Sequence, residues 1–475
     1  MLYKLRNIGV NGNFYHTIKS LYTGAKSCIK INEKTTDWFD ISTGVRQGDS
    51  LSPSLFSLYL NDLALEIKDL NDGILIGSMC LSILLYADDI CLMAPTPEKL
   101  QKMLDVVAKW CRKWGMQINT KKTQILHVRN SQRPRSKFAF NCGGAALSYT
   151  ESYKYLGYII HEHLNNEKTA DTLSAAASRS FGRIHSIFKS VGNLGINTYQ
   201  TLYSSYVESI LNYASGVWGF RHYDTPQVLQ NRIMRFFLGV HRFAPLPATK
   251  IELDWLECRE SRWLNMLRLF NRINKMDDNR LPKMILKWDK SLNLDTWSSE
   301  IDHIAAFLGL QVNLNDNEEY NISNASDILL RNSRLRWQLE VERKPKLRTF
   351  AKIHDYNKVQ ILAKSKVTRY QRSLLAQLKL GILPLKIETD RYQGIPLENR
   401  LCILCDSNAI EDECHFLFHC PALENTRSTL IDNLEIDEFT DDHEKLLQVL
   451  NSDSLRAVGK YIESLYKARR KLMYN

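Results

Sequence analysis

Two adjacent aspartates inside an apolar run constrain this chain more than any other feature. The run Leu81-Ser82-Ile83-Leu84-Leu85-Tyr86-Ala87-Asp88-Asp89-Ile90-Cys91-Leu92-Met93 sets β-forming residues on both sides of the acidic pair. The pattern predicts a strand, a tight turn and a second strand, a hairpin over residues 74–93. Neighbouring carboxylates repel each other and resist burial unless something neutralises them. A hard dication with oxygen ligands does this, and Mg²⁺ fits best. A hairpin that lifts two carboxylates to its tip is therefore a candidate metal site for phosphoryl or nucleotidyl transfer. Alone, the same pair is also what a polar turn closing a strand looks like.

About forty residues upstream lies Thr43-Gly44-Val45-Arg46-Gln47-Gly48-Asp49-Ser50-Leu51-Ser52-Pro53-Ser54-Leu55-Phe56. Its glycines permit close approach of another backbone. Ser52 or a neighbour is placed to cap a helix and Pro53 suits its first turn, so a helix is expected over 53–70. Downstream, Pro97 opens an amphipathic helix through Trp114, with apolar positions at Leu100, Met103, Leu104, Val107 and Trp110 or Cys111. Trp114-Gly115-Met116-Gln117-Ile118-Asn119-Thr120-Lys121-Lys122-Thr123 ends that segment, and Tyr153-Lys154-Tyr155-Leu156-Gly157-Tyr158 lies further on. Helices are expected over 1–24, two short strands within 26–45, and further strands near 123–129, 137–141 and 153–160.

The loop-to-helix block followed by Tyr86-Ala87-Asp88-Asp89 resembles the palm of reverse transcriptases, in which the two blocks are motifs B and C. Asn119, Lys122 and Thr123 are similar to motif D of the non-LTR (LINE-type) retrotransposon polymerases, and Tyr153–Tyr158 to the primer-grip strand, motif E. Within that family the chain resembles the jockey-like group. The resemblance implies roles. Asp88 would ligate the catalytic Mg²⁺ ions, with Asp89 beside it as a supporting ligand. Arg46, Gln47 and Gly48 would line the nucleotide and template pocket. Lys122 would donate a proton to pyrophosphate or pair with the phosphates, a role Lys121 could equally fill. Tyr155, Leu156 and Gly157 would seat the primer end. The implied partners are an RNA template and a DNA primer or target.

The same resemblance marks what is missing. The family holds two metals with three carboxylates, the first on motif A, and the segment Leu2–Val10 resembles the stretch immediately C-terminal to that motif. Asp37 and Asp40 precede motif B but are expected to be surface residues of a strand. Two Mg²⁺ ions about 3.5–4 Å apart bring four positive charges into one pocket. Asp88 and Asp89 supply two negative ones. The expectation is an N-terminally truncated polymerase, lacking fingers and the first aspartate and inactive or nearly so alone. Its motif C hairpin would expose an edge.

The second sharp motif is Cys402-x2-Cys405-x9-His415-x4-Cys420. Three thiolates and one imidazole at this spacing fit a closed tetrahedral Zn²⁺ site. Cys402 and Cys405 would come from one turn, His415 and Cys420 from opposite ends of another, with Cys414 and His419 near enough to be alternative ligands. The spacing is similar to the zinc knuckle at the C-terminus of many non-LTR elements. Zinc could serve nucleic-acid binding, staple a small domain with a thin core, or both. Four of the ten cysteines lie inside 402–420, which suits metal binding in a reducing, intracellular compartment better than a disulfide framework. No signal-peptide pattern opens the chain, and the apolar stretch around 74–87 is too short to span a bilayer.

The organisation expected is α+β: a partial reverse-transcriptase palm over 1–162, an α-helical thumb over 163–285, a basic helical connection over 286–395, and a zinc knuckle with a helical tail over 396–475. Helices are expected at Asp171–Val191, Asn197–Gly216, Pro226–Leu238 and around Trp255–Ile273, then a less ordered acidic stretch at Asn313–Glu319. Arg179, Arg183 and Lys189 are candidate phosphate contacts. The net charge of +11 favours a polyanionic partner. Fourteen Lys or Arg against three acids in 331–379, and ten against Asp105 alone in 101–140, read as electrostatic footprints for RNA or DNA. The functional expectation is an RNA-directed DNA polymerase. The alternatives are a non-catalytic nucleic-acid-binding remnant, and a group II intron or telomerase-like class, against which the thumb texture and the knuckle count. The oligomeric state is left open.

Overall fold

The computed structural model describes residues 1–41, 43–192, 194–292, 294–311, 319–353, 367–431, 434, 440–450, 452 and 454–474. Two compact units emerge. One comprises Met1–Tyr155 with Ile160–Asn165, the other Leu156–Ile159 with Asn166–Asn475.

The first unit is α+β. It contains helices α1 (Leu2–Asn7), α2 (Gly12–Tyr22), α3 (Ser52–Asp69) and α4 (Pro97–Trp114). Leu60, Leu63 and Ile67 on one face of α3 meet Met103, Val107 and Trp110 of α4 in a buried cluster, the i, i+3, i+4, i+7 spacing read from the sequence. Thr96 caps α4, its hydroxyl accepting from the Lys99 N–H at 3.4 Å, and Gly115 closes it in the left-handed conformation. Ser52 does not cap α3. Its hydroxyl donates instead to the Arg46 carbonyl at 2.6 Å, and Asp49 Oδ1 accepts from the Leu51 N–H at 3.0 Å.

The short helix α1 is fastened by Lys4. Its ammonium bonds Asp62 Oδ1 at 2.7 Å and the Tyr59 carbonyl at 2.6 Å, and lies 3.9 Å from the Trp114 ring centroid, with Tyr59 and Trp110 completing an aromatic enclosure.

The strands are shorter than the sequence predicts. Where two were expected within 26–45 there are four: β1 (Lys26–Ser27) pairs β4 (Phe39–Asp40), and β2 (Lys30–Ile31) pairs β3 (Lys34–Thr35). Asn32 and Glu33 both take positive φ (45° and 68°), as a two-residue turn that twists with its strands requires. The single hairpin expected over 74–93 divides in two. β5 (Ile74–Ile76) pairs β6 (Met79–Leu81), and β7 (Ile83–Tyr86) pairs β8 (Asp89–Leu92). Gly77 at φ 60° makes the extra turn. Further on, β9 (Ile125–Leu126) pairs in parallel with β12 (Tyr149–Thr150), and β10 (Asn141–Cys142) pairs β11 (Ala145–Ala146). β13 (Ser152–Tyr155) and β14 (Tyr158–His161) form the hairpin at which the two units divide.

Gly73 is required by close approach. A Cβ there would sit 2.5 Å from the Leu81 carbonyl oxygen and 2.7 Å from the Ser82 nitrogen. Both neighbours are backbone and cannot swing away. Gly73→Ala is expected to cost about 1–3 kcal/mol, as overpacking does. Thermal unfolding would read it, and an unchanged midpoint would show the approach to be looser than described.

The second unit is helical among its described residues. α5 (Glu167–Val191) begins four residues before the expected Asp171. The single helix expected from Asn197 to Gly216 is broken. α6 (Ile196–Tyr203) runs into a π turn, Ser204–Glu208, then Ser209–Leu211, and the chain reverses at Ala214 (φ 53°) before Ser215–Trp218. Packing explains the break. Gly216 and Gly219 bring Ser215–Trp218 hard against the helix Cys258–Asn274, where added Cβ atoms would meet Leu269 and Arg262 side chains at 2.9 and 2.7 Å. The helices Asp224–Leu238 and Cys258–Asn274 lie near their expected positions. Tyr203 stacks on Trp255 with centroids 4.3 Å apart and Trp218 is buried, whereas Tyr206 and Tyr213 are exposed. Of the acidic stretch Asn313–Glu319, residues 313–318 lie outside the described residues. Among the described residues no helix is long and apolar enough to cross a membrane.

Candidate functional site

The acidic pair stands at the tip of the β7–β8 hairpin. Tyr86 pairs with Asp89 in the last register step, so Ala87 and Asp88 form the turn. Ala87 holds φ 49°, a left-handed conformation that a Cβ disfavours. Residues held this way cluster at functional sites. Tyr86, Ala87, Asp88 and Asp89 are exposed, while Ile83 beneath them is buried. The turn therefore presents two solvated carboxylates on an apolar stalk. Among the described residues no third carboxylate, cysteine or histidine joins them in a cluster able to hold a metal. In the described sheets β7 and β8 pair only with each other.

Tyr155 belongs to the same neighbourhood. Burial raises its phenol above the usual range, and the charges of Cys91 and Asp89 add to the effect. Leu156 and Gly157 complete the β13–β14 turn, both left-handed at φ 49° and 87°.

The glycine-rich loop before α3 is exposed, with Gly44 and Gly48 at φ 87° and 84°. Arg46 does not point freely into it: its guanidinium donates to the Leu21 carbonyl at 2.6 Å. Gln47 and Gly48 are exposed. Lys122 is exposed in a turn built by Asn119, whose carbonyl accepts the N–H groups of Lys122 and Thr123, each at 3.0 Å.

The cysteine motif converges. Cys402 Sγ, Cys405 Sγ, a His415 ring nitrogen and Cys420 Sγ all lie within 4.8 Å of one another. Leu401 bridges Ile410 to shape the first turn. A π turn over His415–His419 sets His415 and Cys420 at its two ends, with the Cys420 N–H on the His415 carbonyl at 2.8 Å. Cys402 and Cys420 are 3.9 Å apart through sulfur, and Cys405 Sγ is 3.5 Å from His415 Nε2. Cys414 and His419 face elsewhere, both toward Asp442, at 3.9 Å and 2.7 Å.

Without an ion the group resists ionisation unevenly. Burial pushes the Cys402 thiol up to about 12 and raises Cys420, and burial lowers His415. Burial also opposes ionisation of Cys405, but hydrogen bonds from Ser407, Cys402 and Cys420 together hold that thiol below its usual range. A dication reverses this order by taking up the thiolate charge.

The cluster is no isolated knuckle with a thin core. Cys402, Phe416, Leu417, Cys420 and Leu423 belong to the large buried core of the second unit, beside Tyr461, Ile462 and Leu465 of the C-terminal helix. Arg469 of that helix grips Glu411 through two hydrogen bonds of 2.7 and 2.8 Å. Glu411 also accepts the Lys386 N–H at 2.8 Å. Arg427 donates to the Leu417 and Cys420 carbonyls at 3.2 and 2.7 Å. None of these supports was singled out from sequence. The one available signal was the acidic run Glu411-Asp412-Glu413 set between the ligand pairs.

The basic windows fare differently. In 331–379, Arg334 pairs with Asp254, Arg336 with Glu260, Lys346 with Glu388, Arg348 with Glu413 and Lys379 with Glu252, while Arg372 is buried. Among the described residues of that window these six are engaged within the fold, while Arg331, Arg343, Lys344 and Lys352 are exposed; residues 354–366, with Lys358, Lys364 and Lys366, lie outside the described residues. In 101–140, Arg129 and Arg135 close on Glu162, but Lys109, Arg112, Lys113, Lys121 and Lys122 are exposed.

The family described as reverse transcriptase (RNA-dependent DNA polymerase) matches residues 2–160. The RNA-directed DNA polymerase from mobile element jockey of Drosophila funebris is 26% identical over 245 residues, 50% of this chain and 26% of the relative. The Pol polyprotein from type-1 retrotransposable element R2 of Popillia japonica is 30% identical over 164 residues, 33% of this chain and 27% of the relative. Residues 2–160 thus match the reverse transcriptase family, and the chain is similar to RNA-directed DNA polymerases of non-LTR retrotransposons. It spans about a quarter of the length of the curated relatives named here. The reverse transcriptase match contains the acidic hairpin and the Leu156–Gly157 turn, whereas the Cys-His cluster lies beyond it.

Proposed function

We propose that this chain serves RNA-directed DNA synthesis by a non-LTR retrotransposon, with the first unit as a partial palm, the helices from Glu167 as a thumb, and the Cys-His cluster as a zinc centre. The observation that carries the reading is the β7–β8 hairpin, which raises Asp88 and Asp89 at its tip inside the segment that matches the family. Asp88 would ligate Mg²⁺ with Asp89 in support. Arg46, Gln47 and Gly48 would border nucleotide and template, Lys122 would meet the phosphates, and the Tyr155-Leu156-Gly157 turn would seat the primer end. Mg²⁺ would supply charge neutralisation at the reacting phosphate.

The donor set favours zinc at the second centre. Tetrahedral ligands about 2.3 Å from an ion sit about 3.8 Å apart. The Cys402–Cys420 and Cys405–His415 separations of 3.9 and 3.5 Å suit that arrangement. Soft thiolates with one imidazole select zinc over magnesium or calcium.

Two carboxylates against the four charges of two Mg²⁺ leave the centre under-neutralised. Purified chain with Mg²⁺, RNA template and DNA primer is therefore expected to show no extension above an Asp88→Ala control, while binding primed template more tightly than unprimed RNA. Clear Asp88-dependent extension would show that the pair suffices. Equal affinity for primed and unprimed RNA would sink the polymerase reading itself.

A further inference from the structure

The β13–β14 turn holds two successive left-handed residues, Leu156 and Gly157. A leucine resists that conformation through contact between its Cβ and the backbone, so its surroundings must enforce it. One side chain does so. The Tyr213 hydroxyl donates to the Leu156 carbonyl at 2.5 Å. Its ring also occupies the space over Gly157, where an added Cβ would meet Cε1 at 3.0 Å and Cζ at 3.3 Å. A single tyrosine therefore fixes the carbonyl of one turn residue and covers the face of the next.

Tyr213 is itself held from behind. Its carbonyl accepts the Trp218 indole N–H at 3.0 Å, and Trp218 is almost wholly buried. Trp218 and Tyr223 flank the buried guanidinium of Arg262, each with its ring centroid 5.2 Å away. Gly216 and Gly219 lock the intervening backbone against the helix Cys258–Asn274. Tyr213 nevertheless keeps 46% of its surface exposed, so it braces the turn from the solvent side rather than from within a core.

We propose that Tyr213 is a positioning residue for the Leu156–Gly157 turn, holding it in the conformation that receives the 3′ end of a primer. The inference rests on the preceding reading that this turn seats the primer. Two variants test it in the full chain. Tyr213→Phe keeps the ring over Gly157 and removes the hydroxyl, and Tyr213→Ala removes both. The direct readout is amide hydrogen exchange over residues 153–161, compared with the helix Asp224–Leu238. The functional readout is affinity for an RNA template carrying a DNA primer with 2-aminopurine at its 3′ end, compared with unprimed RNA.

Tyr213→Ala is expected to speed exchange at the turn and weaken primer-end binding by about five- to tenfold. Tyr213→Phe should give a smaller change of the same sign. Exchange over Asp224–Leu238 and affinity for unprimed RNA should stay at wild-type values. Unchanged exchange at the turn in both variants would overturn the contact. Faster exchange with undiminished primer-end affinity would overturn the positioning role. A wild-type chain that does not distinguish primed from unprimed RNA would instead defeat the primer-seating reading, with the exchange result still judging the contact.

Discussion

Replacing Cys402 and Cys405 together by serine is expected to abolish binding of one equivalent of zinc and to loosen the core around the site. Three cysteine sulfurs and an imidazole nitrogen converge within 4.8 Å, a donor set that suits one tetrahedral ion. Burial pushes the Cys402 thiol up to about 12 and raises Cys420, so a bound dication is what would draw these two sulfurs into the thiolate form. Structural zinc in small domains contributes an apparent ~10–16 kcal/mol at neutral pH. Here Phe416 and Leu417 tie the site to the large helical core, so part of the fold should survive while the segment around 401–423 loses order. Metal analysis and far-ultraviolet circular dichroism would check both halves, and a strong chelator on the wild-type chain should reproduce them. Cys414→Ser and His419→Ala should retain the ion, because both side chains face Asp442. A double-serine variant that still carries one zinc per chain would rule the site out.

The second large effect is expected at Arg469. Its guanidinium and the Glu411 carboxylate are 4% and 2% exposed and share two short hydrogen bonds. Arg469→Met would leave the Glu411 carboxylate in the core without its guanidinium partner, with the Lys386 N–H still donating to it. Removing one partner of a buried pair costs about 3–5 kcal/mol, because the remaining charge is uncompensated. Removing both should cost less, since two hydrophobic side chains carry no desolvation penalty. Denaturant unfolding of Arg469→Met, Glu411→Met and the double variant would therefore show the double to be less damaged than Arg469→Met alone. Additive losses would mean the two side chains do not act as a pair. Because Glu411 lies between the two halves of the ligand set, Arg469→Met should also weaken zinc retention under competition by a chelator.

Much of the candidate chemistry was legible in the sequence because it is local. An acidic pair between two apolar runs can do little but sit at a hairpin tip, and β7 and β8 place it there. The ligand spacing of the cysteine motif was readable for the same reason, since a Cys-x2-Cys turn and a His-x4-Cys turn each deliver two donors. Helix α4 was legible from its apolar period and its Thr96 and Gly115 ends. Element boundaries were less legible. The extra turn at Gly77 splits the expected hairpin, and the helix expected to continue to Gly216 reverses at Ala214 because glycine-mediated packing on Cys258–Asn274 outweighs local helical preference.

Charge pairing was the least legible feature in the sequence. A window rich in arginine and lysine looks like a nucleic-acid surface only if its acids are few nearby in space, and sequence counts them only nearby in the chain. Arg334 meets Asp254, 80 residues away, and Lys379 meets Glu252, 127 residues away. The sequence by itself therefore determined the candidate residues: Asp88 and Asp89 on a turn, and Cys402, Cys405, His415 and Cys420 at ligand spacing. Only the tertiary structure decided what supports them. Arg469 behind the cysteine cluster, Tyr213 over the Leu156–Gly157 turn and the internal pairing of the basic helices all join residues far apart in the chain, and no local pattern specifies a partner that only folding brings near.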